Sequence, residues 1–495
     1  MGNKSRILSL LLIPLLVLLH LPFLHADPDY FLSTGRDAFT DEGLNTSQVR
    51  NFINHGYLNL NECDNMIKSP LFNLLLFFPL KFFGTYLIVA RLTVLSFLIT
   101  VLVCLAGHPY FARLILLLFI TTLTQFYVFQ YSHFSLSEML AVCCILTGIY
   151  FLFRRFTGFH TQLGKKTVSD ILLSALFLSL AYYFKIQFAY IILLLPFSLL
   201  ILENKSSEPL LKAPVIRLLL KSAGFLLLFA ITYFLAWYLP FRSTFDFMMN
   251  DQTAGKFSSL SAIPKTIGFN IVYVLFGDQA WWFNTGVLAC LISGILLYKS
   301  SSDKVFKVMF ALSSIWVLME LHKLSMIYLP SRYLVSYYFA AGLMCSTVLL
   351  KLISYKEPGK VLASYFFVAG LSLTAFFFIA NTIHFTLLLE RRTFSIEAIN
   401  DYFSSALKNP EQPVMGPWAP AVTWNSKARC IPVWKDFMND KNIVQILHPQ
   451  AILSEPDEAE SNKAYSSQGM KPELLSDSSR TFQIGRWSVI VYWMN

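Results

Sequence analysis

Ionisable residues stand at five places near the ends of long apolar runs, where a membrane-embedded chain would carry few. They are Asp41-Glu42, Lys68, His133 with Glu138, Lys185, and His322-Lys323 with Arg332-Tyr333. An ionisable side chain at membrane depth costs a few kcal/mol, so each is a functional candidate. Together they combine carboxylates with cations, which is what phosphate-linked group transfer needs. A carboxylate can accept the proton of an attacking hydroxyl. Cations facing it can neutralise a departing phosphate, arginine as a planar fork and lysine as a point charge. A site at the level of lipid headgroups suits a leaving group carried on a lipid.

Each residue also has a plainer reading. Asp41-Glu42 suits a solvated loop or a helix N-terminal cap. Lys185 at a span end suits snorkelling, and Arg332 a structural contact with a lipid phosphate. His133 suits an interfacial histidine better than a metal ligand. Glu138 lies a few residues inside an apolar run and should have a partner.

The elements that position these residues are apolar and long. The 495-residue chain is 55% hydrophobic and 14% charged, against about 25% charged in a soluble domain. A span needs about 20 mainly apolar residues, and the bilayer forces each to be a helix. Candidates lie near 7–25, 86–106, 110–129, 137–153, 168–184, 187–203, 218–239, 283–298, 306–321, 333–352 and 361–383. The expected fold is an all-α polytopic membrane protein with about eleven transmembrane helices and a small α/β C-terminal outer domain. The division falls into a membrane domain over 1–383 and a soluble domain over 384–495.

Orientation follows from the cations. Lys4 and Arg6 precede the first span and place the N-terminus in the cytoplasm. Alternating inside connections then hold Arg113; Arg154, Arg155, Lys165 and Lys166; Lys205, Lys212, Arg217 and Lys221; Lys299, Lys304 and Lys307; and Lys351, Lys356 and Lys360. The first outside loop is acidic, with Asp27, Asp29, Asp37, Asp41, Glu42, Glu62 and Asp64. Reading the first span as a cleaved signal peptide, with a site at Ala26, would invert this bias.

Three outside segments are long. Residues 26–85 contain Ser69 to Gly84, broken by Pro79 and Lys81, which reads as an interfacial helix. Residues 240–282 read as a loop ending in the Trp281–Trp282 pair at headgroup level. The tail carries Trp418, Trp424, Trp434, Trp487 and Trp493, helix-like spacing over 390–407 and a strand-like end at Arg486–Met494. At about 110 residues it can hold its own small core.

Some classes are excluded. The net charge of +10 is spread in short runs between apolar segments rather than on a soluble face, which argues against a nucleic-acid partner. Of the seven Cys, only Cys63 and Cys430 lie in polar segments, and spacing alone cannot pair them.

Four stretches resemble the GT-C glycosyltransferases that use polyprenyl-phosphate sugars, and more closely the branch with the aminoarabinose transferases of lipid A and the protein O-mannosyltransferases. They are Thr40-Asp-Glu-Gly43 continuing through Gln48-Val-Arg50 and His55-Gly56; Lys68-Ser-Pro-Leu71; Tyr183-Phe-Lys185; and His322-Lys-Leu324 with Tyr328-Leu-Pro-Ser-Arg-Tyr333. The resemblance covers roughly residues 1–340. It implies that Asp41 is the catalytic carboxylate, with Glu42 supporting it or reaching a metal. It places Glu138 where the family has a second acidic residue, with His133 beside it on the acceptor side. It assigns Lys68, Lys185, Lys323 and Arg332 to the donor phosphate. Some relatives bind a divalent metal ion, to which His133 and Glu42 could contribute, although no ligand spacing here demands one. The implied reaction inverts the anomeric carbon in one displacement. The implied partners are a polyprenyl-phosphate sugar donor, a lipid, glycan or protein acceptor, and membrane lipids, in a bacterial inner membrane with the C-terminal domain in the periplasm.

Two other readings use the same charges. A transporter or flippase of a lipid-linked or anionic substrate would show paired inverted repeats, and none is visible. A surface-polysaccharide polymerase or ligase would concentrate arginine in its large outer loops.

Overall fold

The computed structural model describes residues 2–33, 35–158, 167–203, 213–247, 261–277, 279–355, 360–433, 446–456, 459–467 and 469–494. Lys165, Lys166, Lys205, Lys212, Lys356 and Trp434 lie outside the described residues.

Each apolar run folds as helix, because only a helix satisfies the backbone of a single segment in lipid. Among the described residues nine helices are long and apolar enough to cross a membrane, and Pro109–Leu123 and Ser169–Phe184 are shorter apolar helices. The chain is a multi-pass membrane protein. Two spans form its centre: Ser137–Thr157 buries 72% of its apolar window and Ser331–Ile353 buries 89%. Ile216–Tyr238 buries only 11% and is as apolar, so its side chains face outward, as lipid contact requires. The central Ser331–Ile353 helix comes close to its neighbour at Gly342, where a Cβ would lie 1.9 Å from Thr122 Oγ1. Beside that contact, Thr121 Oγ1 and Ser346 Oγ are 2.8 Å apart. Small and hydroxyl residues at a helix contact are the usual means of association within a bilayer.

Several elements differ from the sequence reading. The run at 110–129 is broken into Pro109–Leu118, a wider turn at Phe119–Leu123, and Phe126–Tyr131. The break is tolerated because side chains take up freed carbonyls: Asn381 Nδ2 donates to Ile120 O at 2.7 Å and Thr124 Oγ1 to Phe119 O at 2.9 Å. The last span does not end at 383 but runs through Lys360–Glu390. The 240–282 segment is not simply a loop, since it holds the helix Ile263–Phe276 with Pro264 in its first turn. Asn270 Nδ2 on that helix holds Leu324 O and Met326 O, at 2.8 and 2.7 Å. The Pro70–Phe83 helix buries Phe72, Leu76 and Leu80 while Leu74, Phe78, Phe82 and Phe83 stay exposed. That bare apolar face is the one an interfacial helix lays on lipid.

The tail begins with the helix Ser395–Ala406 and forms a sheet of five strands. These are β1 (Val414–Met415), β2 (Cys430–Ile431), β3 (Ala451–Ser454), β4 (Ser476–Ile484) and β5 (Trp487–Met494), in the order β2-β1-β3-β5-β4. β1 pairs parallel to β2 and β3, whereas β5 pairs antiparallel to β3 and β4. Met415, Ile431, Val433, Ile452, Ala464 and Tyr465 form a small core of the tail's own. Trp418, Trp424, Ile484 and Val491 instead join the large core of the membrane bundle. Cys63 and Cys430 are not paired: both are free and buried. Their thiols turn to separate acceptors, Leu44 O at 3.8 Å and Asn51 Oδ1 at 3.7 Å.

Candidate functional site

The acidic helix Asp37–His55 is the piece on which the site is built. It is the next long helix after the first span, which ends at Phe23, and Ala38 through Asn51 are all buried, so neighbours surround it. The tail packs against it at Gly43, where a Cβ would lie 2.4 Å from Ala421 N and Pro420 C. Arg50 stacks 3.9 Å over the Trp424 ring and donates from Nη2 to Pro420 O at 2.5 Å. Asn51 meets Cys430 as a strand would, accepting from Cys430 N at 3.1 Å and donating to its O at 2.8 Å.

Asp37 and Asp41 stand one turn apart on this helix, the spacing that puts two side chains on one face. Arg332, the second residue of the Ser331–Ile353 helix, reaches both. Its Nη1 donates to Asp37 Oδ2 at 2.9 Å and to the Asp41 carboxylate, and its Nε lies 3.8 Å from Glu138 Oε1. Asp37 also accepts from the Ser33 hydroxyl and, at 3.3 Å, from Tyr328 OH. The Asp41 carboxyl is pushed up from the ordinary 3.8 to about 7. Burial is the main cause, the Asp37 and Glu138 charges add to it, and Arg332 and Lys185 work against it.

Glu138 opens the central helix Ser137–Thr157 and is 1% exposed. The Lys185 ammonium pairs with it from the extended corner after the Thr167–Phe184 helix. The Tyr333 ring lies 5.4 Å from Lys185 Nζ and 5.1 Å from Arg332 Cζ, and its hydroxyl accepts from Gln187 Nε2 at 2.8 Å. Lys68 closes the four-residue helix Asn65–Lys68, pairs with Asp64, and lies within electrostatic range of the Tyr333 side chain. Burial works to lower its proton affinity, but Asp64 outweighs burial and carries it above the ordinary lysine value. Asp37, Asp41, Glu138, Lys68, Lys185 and Arg332 therefore converge at one end of the bundle.

Lys323 is attached to this group from behind. Its Nζ lies 2.5 Å from Glu320 Oε2 and donates to Tyr333 O at 2.7 Å. Glu320 Oε1 in turn accepts from Tyr190 OH at 2.6 Å, Trp316 Nε1 at 3.1 Å and Ser336 Oγ at 2.7 Å. Lys323 thus fixes the backbone of Tyr333.

Glu42 and His133 do not join the cluster. The Glu42 carboxylate is taken by Arg91, with Nε–Oε1 3.0 Å and Nη2–Oε2 2.5 Å, and by Ser135 N at 2.7 Å. His133 faces His20, Nδ1 to Nδ1 at 3.1 Å, among Phe129 and Phe134 rings. Among the described residues no three His, Cys, Asp or Glu side chains gather where they could hold a metal ion. The expected contribution of His133 and Glu42 to a metal fails because each is turned to a different partner, so no step is derived through one.

The sequence reading missed four participants. Asp37 was signalled by its place four residues before Asp41 on a helix. Arg91 was signalled by standing alone inside an apolar span, and Glu320 by its place at a span end. Gln187 carried no signal.

These features define a class: a polytopic membrane bundle with a small α/β C-terminal tail and a buried acid–base cluster under it. No family model matches the sequence, and no curated protein matches it. Solved structures do. ArnT from Cupriavidus metallidurans bound to undecaprenyl phosphate has a TM-score of 0.62 at 12% identity, covering 99% of this chain and 98% of that one. Its apo structure has a TM-score of 0.63 at 13% identity, with the same coverage. At that identity the likeness is one of fold, and the chain has the GT-C fold of ArnT along its whole length.

Proposed function

We propose that this chain is an integral membrane glycosyltransferase that moves a sugar from a polyprenyl-phosphate carrier to an acceptor hydroxyl or phosphate. The observation that carries the reading is the Arg332–Asp41 pair beside Glu138–Lys185, at bundle ends under the tail. It is supported by the ArnT fold, one structure of which holds undecaprenyl phosphate. In this reading Asp41 takes the proton of the acceptor hydroxyl, whose oxygen bonds to the anomeric carbon. The bond from that carbon to the carrier phosphate breaks, and the polyprenyl phosphate leaves with the electron pair, held by Arg332, Lys185 and Lys68. One displacement inverts the carbon, so no second carboxylate is needed as nucleophile. Glu138 keeps Lys185 in place, and Lys323 keeps Tyr333 in place. The active face is the periplasmic side of a bacterial inner membrane, with 384–495 as the domain covering it.

The test is transfer of labelled sugar from synthetic polyprenyl-phosphate donors in reconstituted vesicles. Asp41→Asn should lower turnover by about 100-fold or more while donor binding survives. Donor carried across the bilayer unchanged, with no effect of Asp41→Asn, would replace this reading with a transporter.

A further inference from the structure

Each cation proposed for the phosphate is already held by a carboxylate of this chain. Lys68 is paired with Asp64, Lys185 with Glu138, Lys323 with Glu320, and Arg332 with Asp37 and Asp41. An incoming phosphate must therefore displace a resident anion. The pairs differ in how easily they open. Lys68–Asp64 and Lys323–Glu320 are closed within single turns, and Lys323 is also tied to Tyr333 O. Glu138, 1% exposed, has no solvent to move into.

Arg332 is different. A single nitrogen, Nη1, serves both Asp37 and Asp41, which lie on a separate helix. A guanidinium carries five N–H donors and binds best when two parallel bonds reach one anion. Two carboxylates crowding one nitrogen do not supply that, whereas the two free oxygens of a phosphate do. Asp41 is also the carboxylate that burial has pushed up to about 7, so its hold on a cation is the easiest to give up.

We infer that the donor phosphate and the Asp41 carboxylate compete for Arg332, so that donor binding frees the base. This rests on the glycosyl-transfer reading for the nature of the anion. While Arg332 is paired with Asp41, the pairing holds the carboxylate and keeps it from acting. When the phosphate takes the fork, Asp41 loses the strongest charge opposing its proton affinity and becomes the better base. Of the groups that act on it, Asp37 and Glu138 strengthen that effect and Lys185 opposes it. The order of binding follows, with donor before activation of the acceptor.

The experiment is equilibrium binding of undecaprenyl phosphate to the full chain in nanodiscs. Four proteins are compared: wild type, Asp41→Asn, Arg332→Gln and the double variant. Competition predicts that Asp41→Asn, although it loses turnover, binds the lipid about tenfold tighter than wild type, the scale of one partly buried ion pair. In the Arg332→Gln background the same change should move affinity by less than about twofold, because the contest runs through Arg332. Asp37→Asn should tighten binding in the same direction by less, which gives a check should Asp41→Asn fold poorly. Equal or weaker binding by Asp41→Asn overturns the inference. So does equal tightening in both backgrounds, which would mean simple repulsion between nearby anions. Absence of binding by wild type would instead remove the phosphate-lipid reading itself.

Discussion

Asp41 and Glu42 are neighbours in sequence, yet Asp41 binds Arg332 while Glu42 binds Arg91 through Nε and Nη2. Successive residues on a helix point about 100° apart, so one carboxylate can line a site while the next anchors the helix. Arg91 completes the anchor by donating from Nη1 to the carbonyls of Phe23, Leu24 and Ala26, at 3.0, 3.1 and 2.8 Å. Ser135 N, three residues before Glu138, also donates to Glu42. One ion pair thereby ties the end of the first span to both acidic arms of the site.

That anchor should fail asymmetrically. Arg91→Met leaves the Glu42 charge buried alone and should cost about 3–5 kcal/mol of stability, with the pair Arg91→Met/Glu42→Gln costing less than Arg91→Met. Thermal unfolding in detergent measures both. Arg91→Met that keeps its melting temperature but loses turnover would instead give Arg91 a direct part in the chemistry.

The pH dependence belongs to Asp41. Its folded value of about 7 lies above the ordinary 3.8. kcat/KM for the donor should fall as pH drops through about 7, because the base of the free protein becomes protonated, and this limb should be missing from the residual activity of Asp41→Asn. Stability runs the other way. The folded state holds this proton more tightly than the unfolded chain, so the contribution is full below about 3.8 and is lost as pH rises through about 7. The stability of wild type relative to Asp41→Asn, measured by urea titration, should therefore fall as pH rises from about 3.8 to about 7 and level off on either side.

Lys185 and Lys323 should separate kinetically. Lys185→Met removes a cation facing the site and leaves Glu138 with Arg332 Nε at 3.8 Å, so some stability is lost and the donor KM should also rise by about tenfold, with a smaller fall in kcat. Lys323→Met leaves Glu320 buried and unpaired and loosens Tyr333, so its first sign should be a lower melting temperature. Equal KM effects from the two would place Lys323 on the phosphate as well.

The tail should report on the acidic helix. Gly43→Val would drive a side chain into Pro420 and Ala421 and prise the two apart. We expect faster proteolysis within 395–494, and loss of turnover with it, because the displaced helix carries Asp41. A protease-resistant variant with full activity would show that the docking does not position the base.

The sequence alone determined the membrane class, the apolar runs that fold as helices, nine of them long enough to span among the described residues, and the mixed α/β tail. These follow from local composition, since a bilayer imposes helix on any run of about 20 apolar residues. It also marked Asp41, Glu138, Lys185 and Arg332, because a charge near apolar depth must have a partner. What it could not decide was who those partners are. The split of Asp41 from Glu42, the reach of Arg91 to Glu42, the turning of His133 to His20 and the separation of Cys63 from Cys430 all join residues far apart in the chain. Such pairings depend on which helices pack together and at what rotation. The tail shows the same limit. A strand at Trp487–Met494 was legible, but not that Trp418 and Trp424 would complete the core around the acidic helix, because that docking is fixed only where Gly43 lets Pro420 come close.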